Sequence, residues 1–185
     1  NRMLGNYKKA IDYFHQSLKI FDDFAAMPDK ASKRYGESGK SASFQNIGII
    51  YDIQGNHEKA LDYYFRSLKI DETMNNKPGI ATCMGGIGGV NYSLGNYQKA
   101  LKYYHRSLKI RKEIGDKYGI AGSLGNISNV YFEQGNYEKV IEYDQQSLEI
   151  FQELGDKQGI ASGLANIGEL YSAIGGHKKA IEYLY

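Results

Sequence analysis

The sequence predicts an all-α fold, an α-solenoid of antiparallel helix hairpins with about nine helices. Three observations carry this. A repeat of 40 residues runs through the chain. Each repeat holds two apolar periods at helical spacing. Between the periods stands Gly-Asn or Gly-Asp, where a helix must stop and the next must be capped.

The markers keep one spacing. Gly-Asn stands at Gly5-Asn6, Gly55-Asn56, Gly95-Asn96 and Gly135-Asn136, with Gly175-Gly176 as the fifth copy. Ser-Leu-Lys-Ile ends at Ile20, Ile70 and Ile110, and Ser-Leu-Glu-Ile ends at Ile150. Gly-Ile-Ala begins at Gly79, Gly119 and Gly159. The first interval is ten residues longer than the others.

The elements follow in order. A second-type helix over about Tyr7–Phe24 opens the chain as a partial repeat, 1–27. Pro28 ends it, and the charged, glycine-containing stretch that follows predicts an exposed insertion loop over 28–39. Repeats are expected at 40–78, 79–118, 119–158 and 159–185, the last incomplete. In the first-type helices, Ala121, Leu124, Ile127, Val130 and Tyr131 form one apolar face. In the second-type helices, Ala100, Leu101, Tyr104, Leu108 and Ile110 do the same, opposite Lys99, Lys102 and Arg106. Ala60, Ala100 and Ala180 mark the closest helix approach, and tyrosines at 13, 63, 103, 143 and 183 form a packing stripe between repeats. A single hairpin cannot bury its apolar face, whereas stacked neighbours can.

These motifs resemble the tetratricopeptide repeat. The second-helix signature, Gly-Asn-Tyr-x-Lys-Ala followed by aromatics and Ser-Leu, stands at 95–108, at 135–148 with Val140 for Ala, and at 55–68 with His57 for Tyr. The first-helix signature stands at Ile47-Gly48-Tyr51 and Ile167-Gly168-Tyr171. Three positions depart: Asn91 replaces a Tyr, Ser128 replaces a Gly, and Asp144 replaces an aromatic. The 40-residue unit is similar to that of Pins-type adaptors, kinesin light chains, quorum-sensing peptide receptors and bacterial signalling sensors. The resemblance implies a right-handed superhelix whose first helices line a concave groove. It also implies a single domain, 1–185, cut from a longer protein, with any catalytic domain outside it.

That register implies which residues face the groove. In the first complete repeat they are Gln45, Asn46, Ile49 and Asp52; in the next, the glycines around Gly86, with Tyr92 and Ser93. The third repeat gives Gly125, Asn126, Asn129, Phe132 and Glu133, and the fourth Ala165, Asn166, Glu169 and Ser172. Asn46, Asn126 and Asn166 share one repeat position. A side-chain amide both donates and accepts, so it can pair with a peptide backbone of any sequence, or brace neighbouring helices. No Lys or Arg is in the set, which disfavours a carboxylate clamp.

A protein or peptide segment is therefore the expected partner, bound by a scaffold or sensor arm of a cytoplasmic signalling protein. A structural packing module with no free ligand is the alternative. Apolar end faces, including the Ile11/Phe14 side and Leu184, are expected to invite end-to-end association.

Other chemistry finds no support. Net charge is +2, without a nucleic-acid footprint, although residues 1–118 hold 19 Lys/Arg against 12 Asp/Glu and 119–185 hold 4 against 9. No apolar run reaches the ~18–20 residues of a membrane span. The single cysteine, Cys83, excludes an internal disulfide. Gly39-Lys40-Ser41 has Arg34 where a phosphate loop needs Gly. The Gly85–Gly89 run does not fit a dinucleotide fingerprint and is expected to serve tight helix packing. The four histidines lack metal spacing, and no catalytic set, cofactor or metal is expected.

Overall fold

The computed structural model describes residues 2–176, with Ile181 and Tyr183. Among them are eight helices and no strand. They are α1 (Arg2–Ala26), α2 (Lys30–Ile53), α3 (His57–Thr73), α4 (Lys77–Ser93), α5 (Tyr97–Ile114), α6 (Lys117–Glu133), α7 (Tyr137–Leu154) and α8 (Lys157–Ala173). The ninth expected helix, with Ala180 and Leu184, falls outside the described residues except for Ile181 and Tyr183.

The chain forms two compact units, Asn1–Tyr103 and Tyr104–Tyr185, with the boundary inside α5. In the first unit α2 packs on α1 and α3, α3 on α4, and α2 on α4. Ile47, Met84, Ile87 and Val90 are its largest fully buried side chains, and Ala60 and Ala100 are fully buried as expected for points of close approach. Phe14 does not stand free. It packs with Tyr51, Tyr63 and Ile70 against the Leu18–Phe44–Ile47 cluster, which corrects its assignment to an open end face. In the second unit α7 packs on α6 and α8 around Leu124, Ile127, Val130 and Ile167.

The junctions follow from local chemistry. Gly55, Gly95, Gly115, Gly135, Gly155 and Gly175 all take positive φ, between 67° and 82°. Beyond Gly55 and Gly135, Asn56 N–H bonds the Tyr51 carbonyl at 2.8 Å and Asn136 N–H that of Tyr131 at 2.9 Å, which closes each helix end. The same asparagines then cap the next helix, accepting from Lys59 N and Lys139 N. Asp116 and Asp156 cap α6 and α8 alike. At the remaining junction Asn75 takes φ 52°, a conformation Asn tolerates.

The segment 28–39 is not a loop. Only Met27–Asp29 is non-helical, and Asp29 caps α2 by accepting from Ser32 N at 2.8 Å. The extra residues lengthen α1 to 25 residues and α2 to 24, against 17 for α3. Gly36 and Gly39 are contact-face residues: a Cβ at either would strike the Ala25 backbone or the Phe21 ring. Tyr35 closes the hairpin end, edge-on to Phe21 at 5.8 Å and Phe24 at 5.1 Å.

The tyrosine stripe packs between helices at positions 63, 143 and 183, whereas Tyr13 is exposed. Tyr63 stacks on Tyr51 at 5.6 Å, Tyr143 on Tyr131 at 5.6 Å, and Tyr183 on Tyr171 at 5.7 Å. His15 and His105, which share a repeat position, each lie against the tyrosine of a following hairpin, at 6.2 and 6.3 Å.

Candidate functional site: a polar cavity in the second unit

In the first unit, Tyr64 of α3 is buried at 3% exposure. Two glycines make room for its ring. A Cβ at Gly48 would lie 3.0 Å from it, and one at Gly86 would lie 2.5 Å away. Glycine inside α4 is therefore explained at Gly86 by this aromatic, which offsets a helix cost of about 1 kcal/mol.

The repeat positions equivalent to Gly48, Tyr64 and Gly86 are Ser128, Asp144 and Asn166 in the second unit. All three are polar. The aromatic that would fill the space is missing, and a cavity of about 640 Å³ stands there. From α6 it is lined by Gly125, Ser128, Asn129 and Phe132, and from α7 by Val140 and Asp144. From α8 come Asn166, Glu169, Leu170 and Ala173. A second cavity of about 410 Å³ shares Gly125, Asp144 and Asn166 and runs on past Ser162 to Gly159, so the opening is elongated along α6 and α8. The first volume lies within the roughly 300–1,000 Å³ range of ligand sites.

Asp144 is partly buried, and that burial pushes its carboxyl above the usual carboxylate range. The Ser128 hydroxyl partly offsets the shift by hydrogen bonding. The same hydroxyl also donates to the Val140 carbonyl at 3.5 Å, at the outer limit of a bond. Among the described residues no cation pairs with Asp144. Asn129 and Asn166 are exposed, and their side-chain amides make no hydrogen bond with other described residues. Phe132 is 52% exposed and meets Tyr137 edge-on at 6.0 Å.

Five expected groove residues, Gly125, Asn129, Phe132, Asn166 and Glu169, thus come together. Asn126 and Glu133 are exposed but do not line the cavity. In the first unit Asn46 is exposed. The Gln45 amide nitrogen is committed to Asp71 at 3.0 Å, within a buried set that includes Ser41 at 2.8 Å and Asn76 at 2.7 Å from the same carboxyl. Asp52 pairs with His57 Nδ1 at 3.2 Å, and Tyr92 contacts Tyr97 at 6.0 Å. Ser128 and Asp144 are not among the site residues that the repeat register predicts. Their signal in the sequence is two departures from the repeat, Gly to Ser and aromatic to Asp, which gain meaning only as a pair. Among the described residues no three His, Cys, Asp or Glu side chains group as metal ligands, and no helix is long and apolar enough to cross a membrane.

The model of the tetratricopeptide repeat matches residues 41–113 and 119–185. The chain belongs to the tetratricopeptide repeat family. The described residues are all-α, as that family's solenoid fold requires. No curated protein matches the chain at a significant level. Among solved structures, BtubC from P. vanneervenii is similar over 99% of this chain and 72% of its own, with 18% identity and TM-score 0.81. A Rap protein complexed with competence and sporulation factor is similar over 98% and 48%, with 18% identity and TM-score 0.74. A signal transduction ATPase with a tetratricopeptide repeat sensor, from Pyrococcus horikoshii, is similar over 92% and 25%, with 25% identity and TM-score 0.74. This tetratricopeptide repeat chain spans less than half of the last two proteins.

Proposed function

We propose that this tetratricopeptide repeat chain is a recognition arm that binds an extended polypeptide segment in the groove along α6 and α8, with no chemistry of its own. The carrying observation is the polar cavity in which Asn129 and Asn166 stand exposed without partners among the described residues. Two free amides in one elongated opening can each donate to and accept from a peptide backbone. Phe132 supplies an apolar face and Glu169 a charge at the rim. Asn126 and Glu133, exposed on α6, belong to the same proposed set in this unit. In the first unit, taken by itself, Asn46, Asp52, Tyr92 and the uncommitted oxygen of Gln45 are the proposed peptide contacts. The Rap structure carries a bound factor on a related fold. It and the sensor ATPase favour a signalling context.

The test begins with a randomised peptide display library selected on the intact chain. The best binder is then measured against Asn129→Ala/Asn166→Ala. Each lost hydrogen bond costs about 0.5–1.5 kcal/mol, so affinity should fall about five- to a hundredfold. Melting temperature should hold, because the amides are solvated in the free protein. A lower melting temperature with unchanged affinity would instead make these asparagines helix braces.

A further inference from the structure

Resting on that groove reading, we infer that the Asp144 cavity is a side-chain pocket that takes an arginine or lysine of the bound segment. The starting point is the exchange of Gly48, Tyr64 and Gly86 for Ser128, Asp144 and Asn166. In the first unit this triad is a ring seated between two glycines. In the second unit the ring's space is open, and a carboxylate stands at its base. Replacing a packed ring by a half-buried carboxylate loses apolar burial and adds desolvation, so on stability grounds alone the exchange is unfavourable.

The pocket is complementary to a cation. Its charged lining groups are Asp144 and Glu169, and no Lys, Arg or His among the described residues lines it. No cation among the described residues neutralises Asp144, whose carboxyl burial already holds above the usual range. The walls suit a long stem that ends in a charge. Val140, Leu170 and Ala173 offer apolar surface for methylene groups. The half-exposed Phe132 ring offers a face for the cationic head. Residues 119–185 hold 4 Lys/Arg against 9 Asp/Glu, so the surroundings also favour a basic segment.

The test uses the intact chain and the library-selected binder. Selected sequences should carry Arg or Lys at one fixed register. The binder is resynthesised with citrulline for that Arg, or norleucine for that Lys, which removes the charge and keeps the length. On the parent protein this should weaken binding at least tenfold, as expected for a charge-assisted hydrogen bond. On Asp144→Asn it should weaken binding less than twofold, because the pairing carboxylate is gone. Asp144→Glu keeps the charge and should restore the preference for Arg or Lys. Glu149→Gln, on the exposed face of α7, removes the same net charge and should leave the parent behaviour unchanged. Circular dichroism on each variant establishes folding.

Binders without an enriched cation, or an equal charge penalty on parent and Asp144→Asn, overturn this inference and leave the groove reading standing. Agmatine binding as tightly as the peptide overturns the assignment to a polypeptide side chain. A library that yields no binder overturns both.

Discussion

The exchange of a packed ring for a polar cavity can be reversed. Asp144→Tyr with Ser128→Gly rebuilds the Tyr64–Gly48 arrangement in the second unit. A buried Tyr removes about 150–250 Å² from water, worth about 4–6 kcal/mol at ~25 cal/mol/Å². That is an upper bound, because the unfolded chain is already partly compact. Side-chain ordering and the outward swing of Asn166 reduce it further, so the double variant should gain about 1–3 kcal/mol. For a chain of this size the melting temperature should rise about 2–4 °C per kcal/mol. The single changes should behave differently. A Cβ at Gly48 would lie only 3.0 Å from the Tyr64 ring. The ring introduced by Asp144→Tyr alone would face the Ser128 Cβ in the same way and be crowded, and overpacking costs about 1–3 kcal/mol. Ser128→Gly alone only loosens α6, by about 0.5–1 kcal/mol. Urea titrations of parent, both singles and the double give the coupling free energy directly. The double should exceed the sum of the singles by at least ~1 kcal/mol. Additivity within ~0.5 kcal/mol, or a double variant less stable than the parent, would refute the proposed equivalence of the two triads.

Three further outcomes follow from the same geometry. Gly86→Ala should destabilise the chain, because its Cβ would meet the Tyr64 ring at 2.5 Å, whereas Gly122→Ala, with nothing within 4 Å, should stabilise α6 by about 0.5–1 kcal/mol; melting shifts of the same sign would contradict both placements. The Asp144 carboxyl has its proton affinity raised by folding, so the folded state holds that proton to higher pH than the unfolded state, and stability declines as pH rises from the ordinary carboxylate range, about 3.9, through the folded value. Asp144→Asn should therefore melt above the parent at pH 7 and lose that advantage near pH 3; a constant difference across this range would exclude Asp144 as the cause. Cys83 is fully buried, and burial pushes its thiol up to about 11, so a thiol reagent at pH 8 should label it only after denaturation, and prompt stoichiometric labelling of the native chain would contradict its placement.

The hairpins are legible in the sequence because their stops and caps are chemical. Gly55 and Gly135 need positive φ, and Asn56, Asn136, Asp116 and Asp156 must accept backbone N–H groups, so spacing alone locates the junctions. The 28–39 stretch misleads because glycine and charge are ambiguous. Gly36 and Gly39 stand three residues apart on one face of α2, where they admit α1, and the same residues in a loop would read identically. Within the candidate site, Asn129, Phe132, Asn166 and Glu169 are reachable from the repeat register. Asp144 is not, because its helix reads as packing surface alone. Recognising it requires knowing that Tyr64 occupies the equivalent space between Gly48 and Gly86, a contact between separate helices that no local pattern encodes.

The central claim is that the second-unit cavity is where a partner segment binds. The most direct measurement is a titration of the ¹⁵N-labelled chain with the selected peptide, followed by amide chemical shifts. The largest changes should fall on Gly125, Asn129, Phe132, Asn166 and Glu169, with the Asp144 amide among them. Changes confined to α1 and α3, with those six amides unmoved at saturation, would contradict the claim.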